Sequence, residues 1–128
     1  MQPLNDISRA VRIIRTHAEK LHIDPKKLAV CGFSAGGHLC ASLCVHYKDI
    51  SDPRPEFAGV SSRPDAAVLS YPVITSGEYA NRESFLALLG KDASEEDLEY
   101  MSLEKQVTED TPPCFLWQTA TDRSVPVE

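Results

Sequence analysis

Three short apolar runs constrain this chain more than any other feature: Leu-Ala-Val-Cys at 28–31, Ala-Ala-Val-Leu at 66–69 and Cys-Phe-Leu-Trp-Gln at 114–118. None alternates apolar with polar residues, which is the pattern expected of parallel strands buried on both faces. Helical patterns fill most of the sequence before, between and after the first two runs. Strand and helix in alternation give a parallel sheet covered by helices, and right-handed crossovers set the three strands side by side. The expected fold class is therefore α/β, a three-layer parallel sheet with flanking helices. At 128 residues there is room for one domain, residues 1–128, and one modest core.

The helices can be placed by periodicity. Ile7, Val11, Ile14, Ala18 and Leu21 recur at spacings of four and three, so one apolar stripe is expected on a helix over 6–21. Arg9, Arg12, Arg15, Glu19 and Lys20 fall off that stripe. Asn5 or Asp6 can cap the start, and Asp24-Pro25 ends it because the residue before proline disfavours helix. A second helix over 35–47 presents Leu39, Cys40, Leu43, Cys44 and Tyr47 inward. Residues 48–64, with Pro53, Pro55 and Pro64, read as an irregular surface loop. A short helix follows near 82–89, stopped by Gly90. An acidic helix near 94–101 starts at Ser94, with Asp97 in the capping position three residues on.

The junction between the first run and the second helix carries the chemistry. Gly32-Phe33-Ser34-Ala35-Gly36 is a Gly-x-Ser-x-Gly sequence with a strand before it and a helix after it. A sharp strand-to-helix turn exposes the serine hydroxyl, and Gly32 and Gly36 are expected to remove side chains that would collide with neighbouring backbone. The helix that starts there aims N–H groups and partial positive charge at the site, with the N–H of Ala35 as an oxyanion donor. A serine nucleophile needs a base, and the base needs an acid. Asp122 follows the third run, beyond the carboxyl end of a strand, where functional groups gather in open parallel sheets. A turn aspartate is the structural alternative there. The histidines fit the base role poorly. His17 and His22 belong to the first helix region, His38 reads as a packing residue, and His46 lies about 18 Å along the second helix from Ser34. No histidine follows Asp122.

Composition sets outer bounds. A formal net charge of -6 argues against nucleic acid or an anionic membrane as partner. No apolar run approaches the 18 or so residues of a membrane span, and the first residues lack the pattern of a signal peptide. A cytoplasmic location is expected, with export open to any leader upstream of Met1. Cys31, Cys40, Cys44 and Cys114 form no Cys-x-x-Cys pair and read as buried free thiols rather than metal ligands. No cofactor or metal is called for.

Taken together, Ile23-Asp24-Pro25, the segment 32–39 through Gly37-His38-Leu39, Ser70-Tyr71-Pro72, Pro112-Pro113 with the third run, and Asp122 with Val125-Pro126 resemble the alpha/beta-hydrolase superfamily. More narrowly they are similar to bacterial acetyl-xylan esterase-like and carboxylesterase-like serine hydrolases. The resemblance implies Ser34 as nucleophile, Asp122 as triad acid and the Ala35 N–H as oxyanion donor. It also implies hydrolysis of small esters through an acyl-enzyme, often on acetylated carbohydrate, with no cofactor. Two parts of that pattern have no counterpart here: the His-Gly-Gly-type loop before the first helix and the histidine after the last strand. The chain is accordingly expected to be the central to late part of one hydrolase domain, inactive alone and able to self-associate through unpaired sheet edges. The alternatives are a non-catalytic binding domain with the same fold and a peptidase of the prolyl-oligopeptidase type.

Overall fold

The computed structural model describes residues 2–127. Its elements run α1 (Gln2–Thr16), β1 (Ala29–Phe33), α2 (Ala35–His46), β2 (Ala66–Ser70), α3 (Arg82–Leu89), α4 (Glu95–Tyr100) and β3 (Cys114–Trp117), with short 3-10 turns at Pro55–Phe57 and Leu103–Lys105. The three strands form a parallel sheet in the order β1-β2-β3. Cys31 pairs with Val68 and Val68 with Phe115, while Phe33 pairs with Ser70 and Ser70 with Trp117. This is the expected parallel sheet flanked by helices.

Local chemistry sets the element ends. Asn81 caps α3 by accepting the Ser84 N–H, and Gly90, at φ 86, closes it. Ser94 and Asp97 form the reciprocal capping box at the start of α4. The first helix differs from expectation. It starts at Gln2 with Pro3 in its first turn, so Asn5 and Asp6 lie inside it rather than at its cap, and it ends at Thr16. Its buried face is Leu4, Ser8, Val11 and Arg12, whereas Ile14 and Leu21 are exposed. Arg12 was expected off the inner stripe. It is buried because its guanidinium satisfies the carbonyls of Ile50 and Val60 and the Ser8 hydroxyl, stitching the 48–64 loop to α1.

The core lies between α2 and one face of the sheet. Leu43 and Cys44 of α2 meet Ala67 and Leu69 of β2, with Met101 and Leu103 closing the far side. The expectation that each strand is buried on both faces holds only for the central strand: β2 is buried or half-buried throughout, β1 only at alternate residues, and all four residues of β3 are exposed. Val30 and Gly32 turn toward α2, while Ala29, Cys31 and Phe33 are exposed in alternation with them. On β3, Phe115 is 64% exposed and Trp117 40%. The Tyr71 ring packs against Phe33 and Trp117 on this second face, yet Phe33, Phe115 and Trp117 remain exposed. The expectation of four buried thiols is corrected for the same reason: Cys40 and Cys44 are buried, but Cys31 and Cys114 are exposed.

Candidate active site

Ser34 joins β1 to α2 with φ 53 and ψ -120, a conformation an L-residue adopts at a cost of about 1–3 kcal/mol. Three backbone hydrogen bonds hold it there. Its N–H donates to Ser70 O (3.1 Å), and its carbonyl accepts from His38 N (3.1 Å) and Val73 N (3.2 Å). The turn is thus pinned to the end of β2 on both sides. The Ser34 side chain makes no capping bond to α2, and the residue is exposed. Ala35 and Gly36, which begin α2, are exposed as well, so the positive end of the helix borders solvent beside Ser34.

The glycines of the turn act differently from expectation. A Cβ on Gly32 would lie 2.1 Å from the Gly36 carbonyl oxygen and 2.8 Å from Cys40 Sγ, so this residue is excluded from having a side chain by backbone. A Cβ on Gly36 would meet nothing within 4 Å among the described residues. The close contact instead belongs to Gly37, where a Cβ would sit 2.7 Å from Pro72 Cβ. The first turn of α2 therefore packs directly on the β2 exit, and Gly36 is not the residue that permits it.

Ser34 opens onto a cavity of about 560 Å³ walled by the start of α1, the first turns of α2, and α3. Leu39, Leu88 and Met101 supply apolar lining, and Asn81, Glu83 and Ser84 supply the polar lining. His38 also lines it, yet both its ring nitrogens are engaged. Nε2 lies 3.0 Å from the Met101 carbonyl, so it carries the proton, and Nδ1 faces the Ser42 hydroxyl at 3.3 Å. The ring packs edge-on to Phe85 at 5.4 Å, and burial holds its pKa below the usual histidine range. His38 joins α2 to the end of α4. His46 is similarly used: Nε2 donates to Tyr100 O (2.8 Å), and the ring stacks on Tyr100. His17 is bonded to Ile13 O at the opposite end of α1 from Leu4, which lines the cavity. That is about 20 Å away by helical rise.

Asp122 sits in a tight turn after β3. Its Oδ1 accepts the N–H groups of Ser124 (2.8 Å) and Val125 (3.0 Å), which hold its carboxyl below the ordinary carboxylate range. Val125 is buried in the core and anchors the turn. Sequence reasoning missed two residues that fasten this turn, Gln118 through Val125 O (2.7 Å) and Asn81 through Ser124 O (2.9 Å). The Asn81-Arg82-Glu83-Ser84 sequence does carry a helix-cap signal. Nothing local encodes its second contact, 43 residues away. Among the described residues no group of three His, Cys, Asp or Glu side chains is arranged to hold a metal, and no helix is long and apolar enough to cross a membrane.

Comparison with known proteins adds four findings. The profile of the family BD-FAE matches residues 2–128. Endo-1,4-beta-xylanase B of Butyrivibrio fibrisolvens is 58% identical over 127 residues, covering 99% of this chain and 20% of that protein. The acetylxylan esterase of Xylanibacter ruminicola is 31% identical over 98% of this chain and 25% of its own length. Among solved structures, the acetyl ester-xyloside bifunctional hydrolase from Caldicellulosiruptor lactoaceticus superposes with a TM-score of 0.91 at 42% identity, over 97% of this chain and 46% of that one. The chain thus spans a quarter or less of these two relatives' length and just under half of that solved chain.

Proposed function

The chain belongs to the BD-FAE family and shares the fold of alpha/beta-hydrolase esterases, and from that membership we propose that it carries the serine half of a carbohydrate-ester hydrolase site. Ser34 Oγ attacks the ester carbonyl, and the tetrahedral oxyanion is held by the Ala35 N–H at the start of α2. The proton passes to an imidazole and then to the departing alcohol. Water resolves the acyl-enzyme by the same route in reverse. Asp122, kept ionised by two backbone N–H groups, orients that imidazole through Oδ2, the oxygen without a hydrogen bond among the described residues.

The observation that carries this reading is the Ser34 turn itself. A strained backbone fixed by three hydrogen bonds leaves a free hydroxyl at the mouth of a cavity. Strain of this kind persists only where surrounding structure enforces it, and it concentrates at functional sites. Esterases among the relatives favour an ester over a peptide bond. The imidazole is assigned to a residue outside 1–128, because His38 and His46 are committed to carbonyls and His17 and His22 lie past the end of α1 that is remote from the cavity.

The test is hydrolysis of p-nitrophenyl acetate and acetylated xylo-oligosaccharides. Residues 1–128 alone should show little turnover. The same segment within a chain of the solved relative's length should show turnover abolished by Ser34→Ala. Robust Ser34-dependent turnover by residues 1–128 alone would overturn the assignment of the base. Turnover indifferent to Ser34→Ala would overturn the nucleophile.

A further inference from the structure

We propose that Asn81 is a positioning residue that ties the wall of the Ser34 cavity to the turn bearing Asp122. Its side-chain amide is used at both ends. Oδ1 accepts the Ser84 N–H (2.9 Å) and starts α3, whose Glu83, Ser84 and Leu88 line the cavity. Nδ2 donates to the Ser124 carbonyl (2.9 Å), the residue whose own N–H binds Asp122 Oδ1. Gln118 grips the next carbonyl, that of Val125, from the end of β3. The turn is therefore held through both carbonyls while both amides of the same two residues hold one carboxylate oxygen.

The consequence is directional. With Oδ1 committed, Oδ2 can point only where the turn points it, and Asn81 sets that direction relative to the cavity. An acid that orients an imidazole has to present its oxygen within a fraction of an ångström, since a misplacement of about 1 Å can cost roughly a hundredfold in rate. Asparagine suits the position because it carries a donor and an acceptor on one short planar group. Serine or threonine would keep the cap but lack both the N–H and the reach. This inference rests on Asp122 acting as the triad acid, but its test does not require turnover.

The test uses residues 1–128 with Asn81→Ser, and with Asn81→Thr as a second cap-competent replacement. Amide hydrogen exchange and the Asp122 carboxyl-carbon resonance are followed by NMR at neutral pH. The Ser84 amide should keep its protection, the Ser124 and Val125 amides should exchange at least about tenfold faster, and the Asp122 resonance should move. A residue that merely caps α3 would leave Ser124, Val125 and Asp122 untouched, and that result overturns the proposal. Acceleration shared equally by the Val68 amide in β2 marks general loosening and overturns it as well. Loss of Ser34-dependent turnover in the longer chain is a separate readout. If the parent longer chain shows no Ser34-dependent turnover while Asn81→Ser still frees the turn, the hydrolase reading falls and the bridge stands.

Discussion

Replacing Gly32 by alanine places one methyl group where the structure has backbone. The new Cβ would stand 2.1 Å from the Gly36 oxygen and 2.5 Å from its carbon, against 3.4 Å for ordinary contact. Relief requires a displacement of about 1.3 Å between β1 and the first turn of α2. That turn cannot yield alone. It is tied to β2 through Ser34 N to Ser70 O and to the segment after it through Val73 N to Ser34 O, and α2 continues into Leu43 and Cys44, which are fully buried in the core. Ordinary overpacking costs about 1–3 kcal/mol. A rigid carbonyl in place of a side chain puts Gly32→Ala at about 3 kcal/mol or more, a large part of the roughly 5–15 kcal/mol that holds a domain folded. Gly36→Ala meets nothing and should be neutral or stabilising by up to about 1 kcal/mol, since alanine is the better helix former. Gly37→Ala should also destabilise, by less than Gly32→Ala because its closest contact is longer, 2.7 Å to the rigid Pro72 ring with the Pro72 Cα at 3.0 Å. Urea unfolding followed by circular dichroism at 222 nm gives the ranking directly. If Gly32→Ala lies within about 1 kcal/mol of the parent, or Gly36→Ala costs more than Gly32→Ala, the steric account of this turn is wrong.

Arg12→Met should lose about 2–4 kcal/mol in the same assay, since it strands the carbonyls of Ile50 and Val60, and Arg12→Lys should not restore it because one ammonium cannot reach three divergent acceptors. Burial holds His38 and His46 below the usual value of 6.5, so below that pH the unfolded chain binds more protons than the folded one. Their contribution is complete above about pH 6.5 and is lost as the pH falls toward their folded pKa values. Urea midpoints should therefore decline on acidification, and a midpoint flat from pH 7 to about pH 5 would refute this. The open sheet face should drive self-association that Phe115→Lys weakens, read by sedimentation velocity, and a parent that stays monomeric at high concentration contradicts it.

How far the sequence revealed this arrangement depended on the range of the interaction that decided each feature. Nearest-neighbour signals worked well. The bounds of α3 follow from its own residues and Gly90, and the capping box at Ser94 follows from a four-residue pattern. That the three strands lie parallel and side by side followed from alternation together with the right-handed crossover rule. Failures came where distant segments meet. The buried stripe of α1 rotated toward Leu4 and Ser8 because the 48–64 loop supplies carbonyls for Arg12, which periodicity cannot register. Gly36 was credited with a steric role that belongs to Gly37, because the obstructing residue, Pro72, lies 35 positions away in another element. Ser34 and Asp122 stood out as candidates by type and by position at strand ends. Asn81 and Gln118 did not, since amides that bind carbonyls leave no pattern in composition or spacing.

The chain has a single tryptophan, and it sits on the open face of the sheet. Trp117 packs edge-on to Tyr71 at 5.2 Å, and its indole N–H donates to Ser70 Oγ (2.8 Å). Ser70 is also the residue whose carbonyl receives the Ser34 N–H. One fluorophore therefore stands two hydrogen bonds from the serine turn, on the surface that further polypeptide or a second copy would have to cover. Its emission maximum is a built-in gauge of that event: red-shifted while the face is wet, blue-shifted once it is sealed. Assembly around Ser34 can be watched without adding any label.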